Sequence, residues 1–211
     1  MNTKRNCWNM ANNADEKRVR ILEAAKRRFA HYGMAKTTMA EIAKDLSFSK
    51  ALLYYYFPDK NSLYAAVLEH VMQDCQLLVG DRIAATSTVL EGINTVLDIN
   101  MDFKKKYFYL MEYTILMRKE LPAELDKLII DSFENQRKAI EMVFQRGIDS
   151  KELKAIDAEE TARIFIFSTL GMRMSVLKDF KNDFIPDKSE FDEILQMQKK
   201  LAAIFVQGLK A

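Results

Sequence analysis

The stretch that decides the fold is TTMAEIAKDLSFSKALLYYYF, which occupies residues 37–57. It contains two start signals for helices. Thr38 is followed by Glu41 at the spacing of a capping box, which marks the start of a short helix. Ser49 is a preferred capping residue for a second helix, which we predict over residues 50–57. The stretch therefore predicts two short helices that are joined by a tight turn.

Consecutive tyrosines occupy the second of these helices. At about 100° per residue, Leu53 and Phe57 share one face, which can pack on the preceding helix. Tyr55 then points almost directly away from that face, and Tyr54 and Tyr56 flank it. Three consecutive side chains cannot all face one core, although one or two of these rings could still be core residues of a helical bundle. Phenol hydroxyls donate hydrogen bonds to phosphate oxygens, so the helix is a candidate DNA-contacting element.

Helix, tight turn and helix is the arrangement of a helix-turn-helix, whose second helix enters the major groove. Thr37 and Thr38, at the start of the first helix, are placed to hold a backbone phosphate together with the helix amides. Residues 1–60 carry 12 Lys and Arg against 6 Asp and Glu, a balance of +6, and the remaining residues carry 20 against 24, a balance of −4. This asymmetry favours a polyanionic partner for the N-terminal part, although chance segregation of charge gives the same balance.

The rest of the chain also has the pattern of helices. Only 6 Gly and 3 Pro occur in 211 residues, and no run of useful length alternates in the manner of a strand. We therefore predict an all-α fold of about nine helices from the apolar spacing. Their expected limits are residues 15–32, 38–46, 50–57, 60–79, 87–103, 105–118, 122–147, 157–178 and 189–209.

The N-terminus and the cysteines indicate a cellular compartment. The lead over residues 1–14 is polar and has no apolar stretch of signal-peptide length. No apolar run in the chain approaches the roughly 20 residues that span a bilayer. Cys7 and Cys75 show no metal or redox spacing, which indicates free thiols in a reducing environment. We expect a cytoplasmic protein with a disordered N-terminal lead.

The segment TTMAEIAKDLSFSKALLYYYFPDKNSLYAAVLEHV, residues 37–71, resembles the DNA-binding domain of the tetracycline-repressor (TetR) family of bacterial transcription regulators. The upstream stretch ILEAAKRRFAHYGMAKTTM is similar to the first helix of that domain and its turn at Gly33. The resemblance implies a helix-turn-helix DNA-binding domain of three helices over residues 15–60. It also implies a helical bundle for ligand binding and dimerisation over residues 61–211.

The resemblance further implies double-stranded DNA as partner, bound by a homodimer at a palindromic operator with half-sites one helical turn apart. Repression is the family's common mode. Phosphate contacts are implied for four positions, namely Thr38, Tyr54, Tyr55 and Lys60. Positions at or near bases are implied for five others, namely Ser49, Lys50, Ala51, Leu52 and Tyr56.

Three residues depart from the family pattern. Ser47 occupies a position where a turn glycine is common, and a positive φ there would strain a serine by about 1 kcal/mol. Ala51 and Leu52 replace a small or polar pair. Neither can hydrogen-bond to a base edge, but both can contact a thymine methyl group. We therefore expect an operator with few hydrogen-bonded bases and a dependence on DNA shape.

Two further sites are expected in the body. The resemblance implies a four-helix dimer interface on the last two helices, although an apolar stripe there could equally be monomer core. The interface candidates are Gly171, Ile194, Gln198, Leu201, Ala202 and Phe205. A nearly all-apolar helix beginning near Tyr107 could line a pocket for a small lipophilic effector, and plain core packing is the alternative. The pocket candidates are Met101, Phe103, Phe108, Met111, Phe165 and Phe167.

An enzyme is a poorer interpretation of this sequence. His31 and His70 are the only histidines and neither falls in a metal or nucleophile pattern, and no phosphate-binding glycine loop occurs. We expect no catalytic residue, no metal site and no cofactor. The alternatives that remain are a helical adaptor that binds protein through the aromatic helix and, less favoured, an all-α enzyme. Salt dependence separates an adaptor from a DNA reader, because phosphate binding weakens steeply with salt.

Overall fold

The computed structural model describes the backbone of residues 3–111, 123–176 and 188–211, and the side chains of residues 15–111, 125–172 and 190–211. The chain is all-α, as predicted. Within the described residues, β pairing is confined to an isolated antiparallel bridge between Leu153 and Lys210. The helices are α1 (Thr3–Tyr32), α2 (Met39–Asp45), α3 (Lys50–Tyr56), α4 (Lys60–Ala84), α5 (Val89–Lys106), α6 (Ala123–Asp149), α7 (Ala158–Val176) and α8 (Lys188–Leu209).

Two helix ends differ most from the sequence expectation. Helix α1 begins at Thr3 rather than at Asp15, and so covers most of the expected disordered lead. A capping residue favours a start without enforcing one, and no Gly or Pro interrupts the preceding residues. Helix α4 continues to Ala84, because Gly80 lowers helix propensity without ending the helix.

The expected helix over residues 105–118 is only partly described. Lys105 and Lys106 form the end of α5, residues 108–111 are helical, and residues 112–118 lie outside the described part of the chain.

The contacts within the chain divide it into two compact units. The first unit contains the residues up to Val71 together with residues 107–111. The second contains residues 72–106 and the described residues from 123 onward. The domain boundary expected at residue 60 therefore lies inside the first unit, because the first half of α4 contributes to that unit's core.

The core of the first unit joins α1 to α4. The rings of Phe29 and Tyr64 are both fully buried and meet edge to face, with centroids 5.5 Å apart. The Tyr64 hydroxyl donates a hydrogen bond to the carbonyl of Leu110, which is also fully buried. Residues 107–111 are thus fixed to α4 although they follow α5 in the chain.

The core of the second unit is formed by α5 to α8 and the second half of α4. Phe165 lies at its centre, with ring centroids 6.4 Å from Phe144 and 5.5 Å from Phe205. Gly147 permits a close helix approach, since a Cβ there would lie 2.3 Å from a methyl of Val89. No helix in the described ranges is long and apolar enough to cross a membrane.

Candidate nucleic-acid interface

The predicted capping box at the start of α2 is confirmed. Thr38 has extended backbone angles, φ −117° and ψ 151°, and its hydroxyl accepts a hydrogen bond from the amide of Glu41 at 3.3 Å. The Glu41 carboxylate accepts in return from the amide of Thr38 at 2.9 Å and from its hydroxyl at 2.7 Å. These hydrogen bonds hold the pKa of Glu41 below its usual value. The start of α2 is therefore fixed by its own sequence.

The turn between α2 and α3 is a Schellman motif with a serine in the left-handed position. Ser47 has φ 54°, which confirms the expected positive φ. Its amide donates to the carbonyl of Lys44 at 3.1 Å, and the amide of Phe48 donates to the carbonyl of Ala43 at 2.9 Å. Glycine is the usual residue at such a position because it has no Cβ, so Ser47 adopts it with strain.

The predicted orientation of α3 is confirmed. Ser49 caps the helix, since its hydroxyl accepts from the amide of Leu52 at 3.1 Å. Leu53 is fully buried and Phe57 is 4% exposed, whereas Tyr55 is 81% exposed on the opposite side. The remaining predicted contacts on this helix are fully or partly exposed, namely Lys50, Ala51, Leu52, Tyr54 and Tyr56.

The tyrosines form one surface. Tyr54 is 49% exposed, and the rings of Tyr55 and Tyr56 meet edge to face with centroids 5.3 Å apart. Edge-to-face packing restricts ring motion without burying the hydroxyl groups. The outer side of α3 thus offers aromatic rings, phenol hydroxyls and the small apolar side chain of Ala51.

Two predicted phosphate contacts are engaged within the protein. Thr37 is fully buried, and its hydroxyl donates to the carbonyl of Gly33 at 2.9 Å. The expectation that the Thr37 side chain contacts DNA is therefore corrected. The Lys60 ammonium donates to the carbonyls of Met34 at 3.0 Å and Thr37 at 3.1 Å, so it is held by the turn between α1 and α2.

Exposed arginines of α1 adjoin both ends of α3 and were missed as individual candidates. The guanidinium carbon of Arg20 lies 5.0 Å from the ring centroid of Phe48, just before α3. That of Arg18 lies 5.3 Å from the ring centroid of Phe57, just after α3. Both side chains therefore place positive charge beside the ends of α3. The net charge of the N-terminal part indicated a basic surface but not these two arginines in particular, because sequence spacing does not show what a surface arginine packs on.

A third arginine has a structural role. The Arg28 guanidinium donates to both carboxylate oxygens of Asp45, at 2.5 and 2.9 Å, and so ties α1 to the end of α2. This bidentate pair holds the pKa of the Asp45 carboxyl below its usual range.

A small cavity occurs in the second unit, with a volume of about 20 Å³, which accommodates about one water molecule. It is lined by Val96, Leu97, Asn100, Met101, Lys104, Gln136, Ile140, Ile166, Thr169, Leu170 and Gln198. Of the predicted pocket residues, Met101 lines it. Phe165 is core and Phe167 is 65% exposed, which corrects their assignment to a pocket. Phe103 is partly buried in this unit, and Phe108 and Met111 belong to the first unit.

The predicted dimer residues on α8 lie on the side of the helix that packs inside the protomer. Ile194, Gln198 and Ala202 are buried in the protomer, and the Gln198 amide donates to the carbonyl of Thr169 at 3.3 Å. Their assignment to a subunit interface is therefore corrected. Leu201 and Phe205 are partly buried against the core of the second unit. Gly171 on α7 is exposed, and a Cβ built there meets nothing within 4 Å.

Exposed apolar side chains on these helices were missed. On α7, Ile164 is 48% exposed and Phe167 is 65% exposed. On α8, Ile204 is 69% exposed. The signal that could have found them is a second apolar stripe, which lies beside the one that forms the core.

A capped helix, a Schellman turn and a second capped helix with an outward polar and aromatic face define a helix-turn-helix DNA-binding protein. Residues 21–67 match the family described as bacterial regulatory proteins, tetR family. Over these residues the chain matches this family, and it is a transcriptional regulator with a helix-turn-helix DNA-binding unit.

Similar proteins extend the match over most of the chain. The uncharacterized HTH-type transcriptional regulator YhgD of Bacillus subtilis is 24% identical over 203 residues, which cover 93% of this chain and 98% of the relative. The HTH-type transcriptional regulator RutR of Escherichia coli K12 is 31% identical over 121 residues, or 54% of this chain and 57% of RutR. The crystal structure of a transcriptional regulator from Cytophaga hutchinsonii has a TM-score of 0.80 and 26% identity, covering 90% of this chain and 97% of that one. The family and the fold point to a regulator rather than an enzyme.

Proposed function

We propose that this chain is a ligand-responsive repressor that acts in the cytoplasm and binds a palindromic operator as a homodimer. The observation that carries the proposal is the orientation of α3, with Leu53 fully buried and Tyr55 81% exposed on the opposite side. A helix of seven residues with one apolar edge and an outward row of tyrosines fits the major groove and the phosphates that border it.

The contacts to DNA divide into two groups. Tyr54 and Tyr55 bind phosphates through exposed phenol hydroxyls on the flank and the outer side of α3. Thr38, exposed at the start of α2, binds a phosphate by turning its hydroxyl away from the Glu41 carboxylate. Positions on the outer and leading side of α3 reach base edges, namely Ser49, Lys50, Ala51, Leu52 and Tyr56. Arg18 and Arg20 add positive charge beside both ends of the helix.

Sequence preference arises mainly from apolar contact and from DNA shape. Ala51 is exposed and Leu52 is partly exposed, so both side chains can reach thymine methyl groups. Neither forms a hydrogen bond to a base. This helix favours operators whose half-sites are rich in thymine at the contacted positions. The deformability of the DNA also contributes to the preference.

The homodimer forms through the exposed apolar stripes of α7 and α8. Ile164, Phe167 and Gly171 recur at helical spacing on α7, and Ile204 and Gly208 do so on α8. A Cβ at either glycine meets nothing within 4 Å, so a second copy can approach both helices closely. A two-fold axis between the copies pairs each stripe with its counterpart and buries the side chains that each protomer exposes.

The effector binds in the second unit by opening the cavity beside Met101. At about 20 Å³ the cavity accommodates only about one water molecule, so an effector must widen it. Its wall contains amide and hydroxyl groups from Asn100, Gln136 and Thr169, which suit a small lipophilic molecule that also carries a hydrogen-bonding group. A structure with the same fold, a putative regulator from Saccharomonospora viridis with 19% identity and a TM-score of 0.69, was determined in complex with choline.

Regulation requires that the effector bind the DNA-bound and released states with different affinity. Helix α4 passes from the first unit into the second at Val71, which makes it the continuous element through which the effector site acts on α2 and α3.

The test is selection of duplexes from a random DNA pool, with the wild type, Tyr55→Ala and Tyr109→Ala in parallel. Tyr109 is a matched control because it is 51% exposed in the same unit but lies outside α3. We expect the wild type and Tyr109→Ala to enrich one palindrome and Tyr55→Ala to enrich none. If no protein enriches any sequence at any salt concentration, DNA reading is refuted and a protein-binding adaptor becomes the better interpretation.

A further inference from the structure

The turn between α1 and α2 is held by several internal hydrogen bonds. Gly33 ends α1 with φ 77°, and its amide donates to the carbonyl of Phe29 at 3.0 Å. The Thr37 hydroxyl donates back to the Gly33 carbonyl at 2.9 Å. Met34 is 3% exposed and Thr37 is fully buried, so both ends of the turn pack into the protein, while Ala35 and Lys36 between them are exposed.

Lys60 contacts this turn although the turn precedes the helix-turn-helix in the chain and Lys60 follows it. It is the first residue of α4, and it follows α3 in the chain. Its ammonium donates to the carbonyls of Met34 and Thr37, at 3.0 and 3.1 Å. An ammonium has three donors and no acceptor, so two of its three hydrogen bonds are made within the protein.

These contacts bracket α2 and α3. Thr37 immediately precedes Thr38, whose capping interactions fix the direction of α2. Lys60 is itself the first residue of α4, so its hydrogen bond to the Thr37 carbonyl constrains both ends of the helix-turn-helix at once. Hydrogen bonds from a charged donor are stronger than neutral ones, which suits such a constraint.

We propose that Lys60 is a positioning residue, which orients α2 and α3 for DNA through the carbonyls of Met34 and Thr37, and is not a phosphate contact. The proposal rests on the proposed DNA binding and changes the role that the family resemblance implies for this lysine. It has a distinct consequence, because neutralising a phosphate contact lowers the salt dependence of binding and loss of a positioning residue does not.

The experiment compares Lys60→Met with Lys50→Met. Methionine keeps an unbranched apolar stem and removes the charge and the donors in both variants. Lys50 is the matched control because it is exposed at the start of α3, on the proposed DNA surface. Affinity for the selected operator is measured over a range of salt concentrations, at a temperature at which circular dichroism shows both variants to be folded. Melting temperatures are recorded alongside.

We expect Lys60→Met to weaken binding about tenfold to a hundredfold, as for loss of charged hydrogen bonds, with an unchanged slope of log affinity against log salt. Lys50→Met removes a cation that lies against the DNA, where it neutralises phosphate charge beside the base that it reaches, so it should reduce the steepness of that slope by up to about 0.9 for each lysine removed, or up to about 2 for a dimer. An equal change of slope for Lys60→Met overturns the proposal in favour of a phosphate contact. A lowered melting temperature with unchanged affinity overturns it in favour of a purely structural lysine.

A second measurement uses the wild type, and so holds even if Lys60→Met does not fold. Lysine acetylation is followed by mass spectrometry with and without the operator. We expect Lys60 to react slowly in both conditions and Lys50 to become protected only when DNA is bound. Protection of Lys60 that appears only with DNA overturns the proposal. Failure of DNA binding itself is recognised separately, because the wild type then binds no duplex and Lys50 is never protected.

Discussion

The recognition helix α3 and the last helix α8 differ in how well an apolar pattern predicts burial. In α3 the pattern placed Leu53 and Phe57 inside and Tyr55 outside, and the structure agrees for all three. In α8 the pattern left open whether Ile194 and Ala202 form a subunit interface, as the resemblance implied, or monomer core; both are buried in the protomer, and Ile204 is the exposed apolar residue.

The difference arises from the number of neighbours that each helix has. Helix α3 spans seven residues and packs on α2 along one edge, so its apolar side is its buried side. Helix α8 spans 22 residues and packs on both α5 and α7. A helix that packs on two neighbours inside the protomer needs a broad apolar surface for them. Packing against a second protomer needs a further apolar stripe beside that surface. Spacing alone does not show which stripe serves which purpose.

The largest effect that tests this comparison is expected for Ile204→Asp. In the proposed dimer each protomer contributes one such residue to the interface, so two unpaired carboxylates are buried. Each uncompensated charge costs about 3–5 kcal/mol. We expect sedimentation to show a monomer, with a melting temperature close to that of the isolated wild-type protomer, and operator affinity to fall accordingly.

The control for Ile204→Asp is Met142→Asp on α6, where the side chain is 66% exposed outside the two proposed interface helices. It should leave the dimer intact. A dimer that survives Ile204→Asp and dissociates with Met142→Asp would transfer the interface to α6 and contradict the assignment of the α7 and α8 stripes.

The next largest effect is expected for Leu53→Ala, which tests the buried edge of α3. Removing a fully buried leucine lowers the free energy of unfolding by about 2–5 kcal/mol, because apolar contacts are lost and a cavity remains. Tyr55→Ala on the exposed side should change it by no more than about 0.5 kcal/mol. Urea denaturation monitored by circular dichroism measures both.

The two α3 variants should also differ in function. Tyr55→Ala should lose operator binding while it retains stability, and Leu53→Ala should lose binding through unfolding. Equal losses of stability in the two variants would mean that α3 does not have a buried and an exposed side as described.

The parts of the DNA-binding unit that follow from neighbouring residues could be predicted from the sequence. The capping box of Thr38 and Glu41 and the cap of Ser49 each depend on residues three apart, so their signals lie within one short window. The roles of Thr37 and Lys60 could not be predicted in this way. The Lys60 ammonium binds carbonyls that are 23 and 26 residues away in the chain, and every residue type offers a backbone carbonyl.

The proposed effector site shows the same limit. Methionine and aromatic residues are suited to a pocket, but they are equally suited to a close-packed core. Phe165 proved to be the centre of such a core, between Phe144 and Phe205. Asn100 and Gln136 also line the cavity, but their side chains are polar, so a search for apolar spacing does not indicate them.

The smallest effect concerns residues with a positive φ angle. Among the described residues other than glycine, each of the two units contains one. Ser47 has φ 54° in the turn before α3, and Lys151 has φ 62° after α6. A residue with a side chain pays about 1–2 kcal/mol to adopt this conformation, and replacement by glycine removes that strain. Glycine also has about 0.5–1 kcal/mol more conformational entropy to lose from the unfolded chain, which offsets part of the stabilisation. We therefore expect Ser47→Gly and Lys151→Gly each to raise the free energy of unfolding by about 0.5–1 kcal/mol, as measured by urea denaturation.

Ser47→Ala, which keeps the Cβ, is the control and should give no gain. A loss of stability in Ser47→Gly but not in Lys151→Gly would show that the serine hydroxyl compensates for the strain. The two turns would then differ in how they stabilise a residue with positive φ.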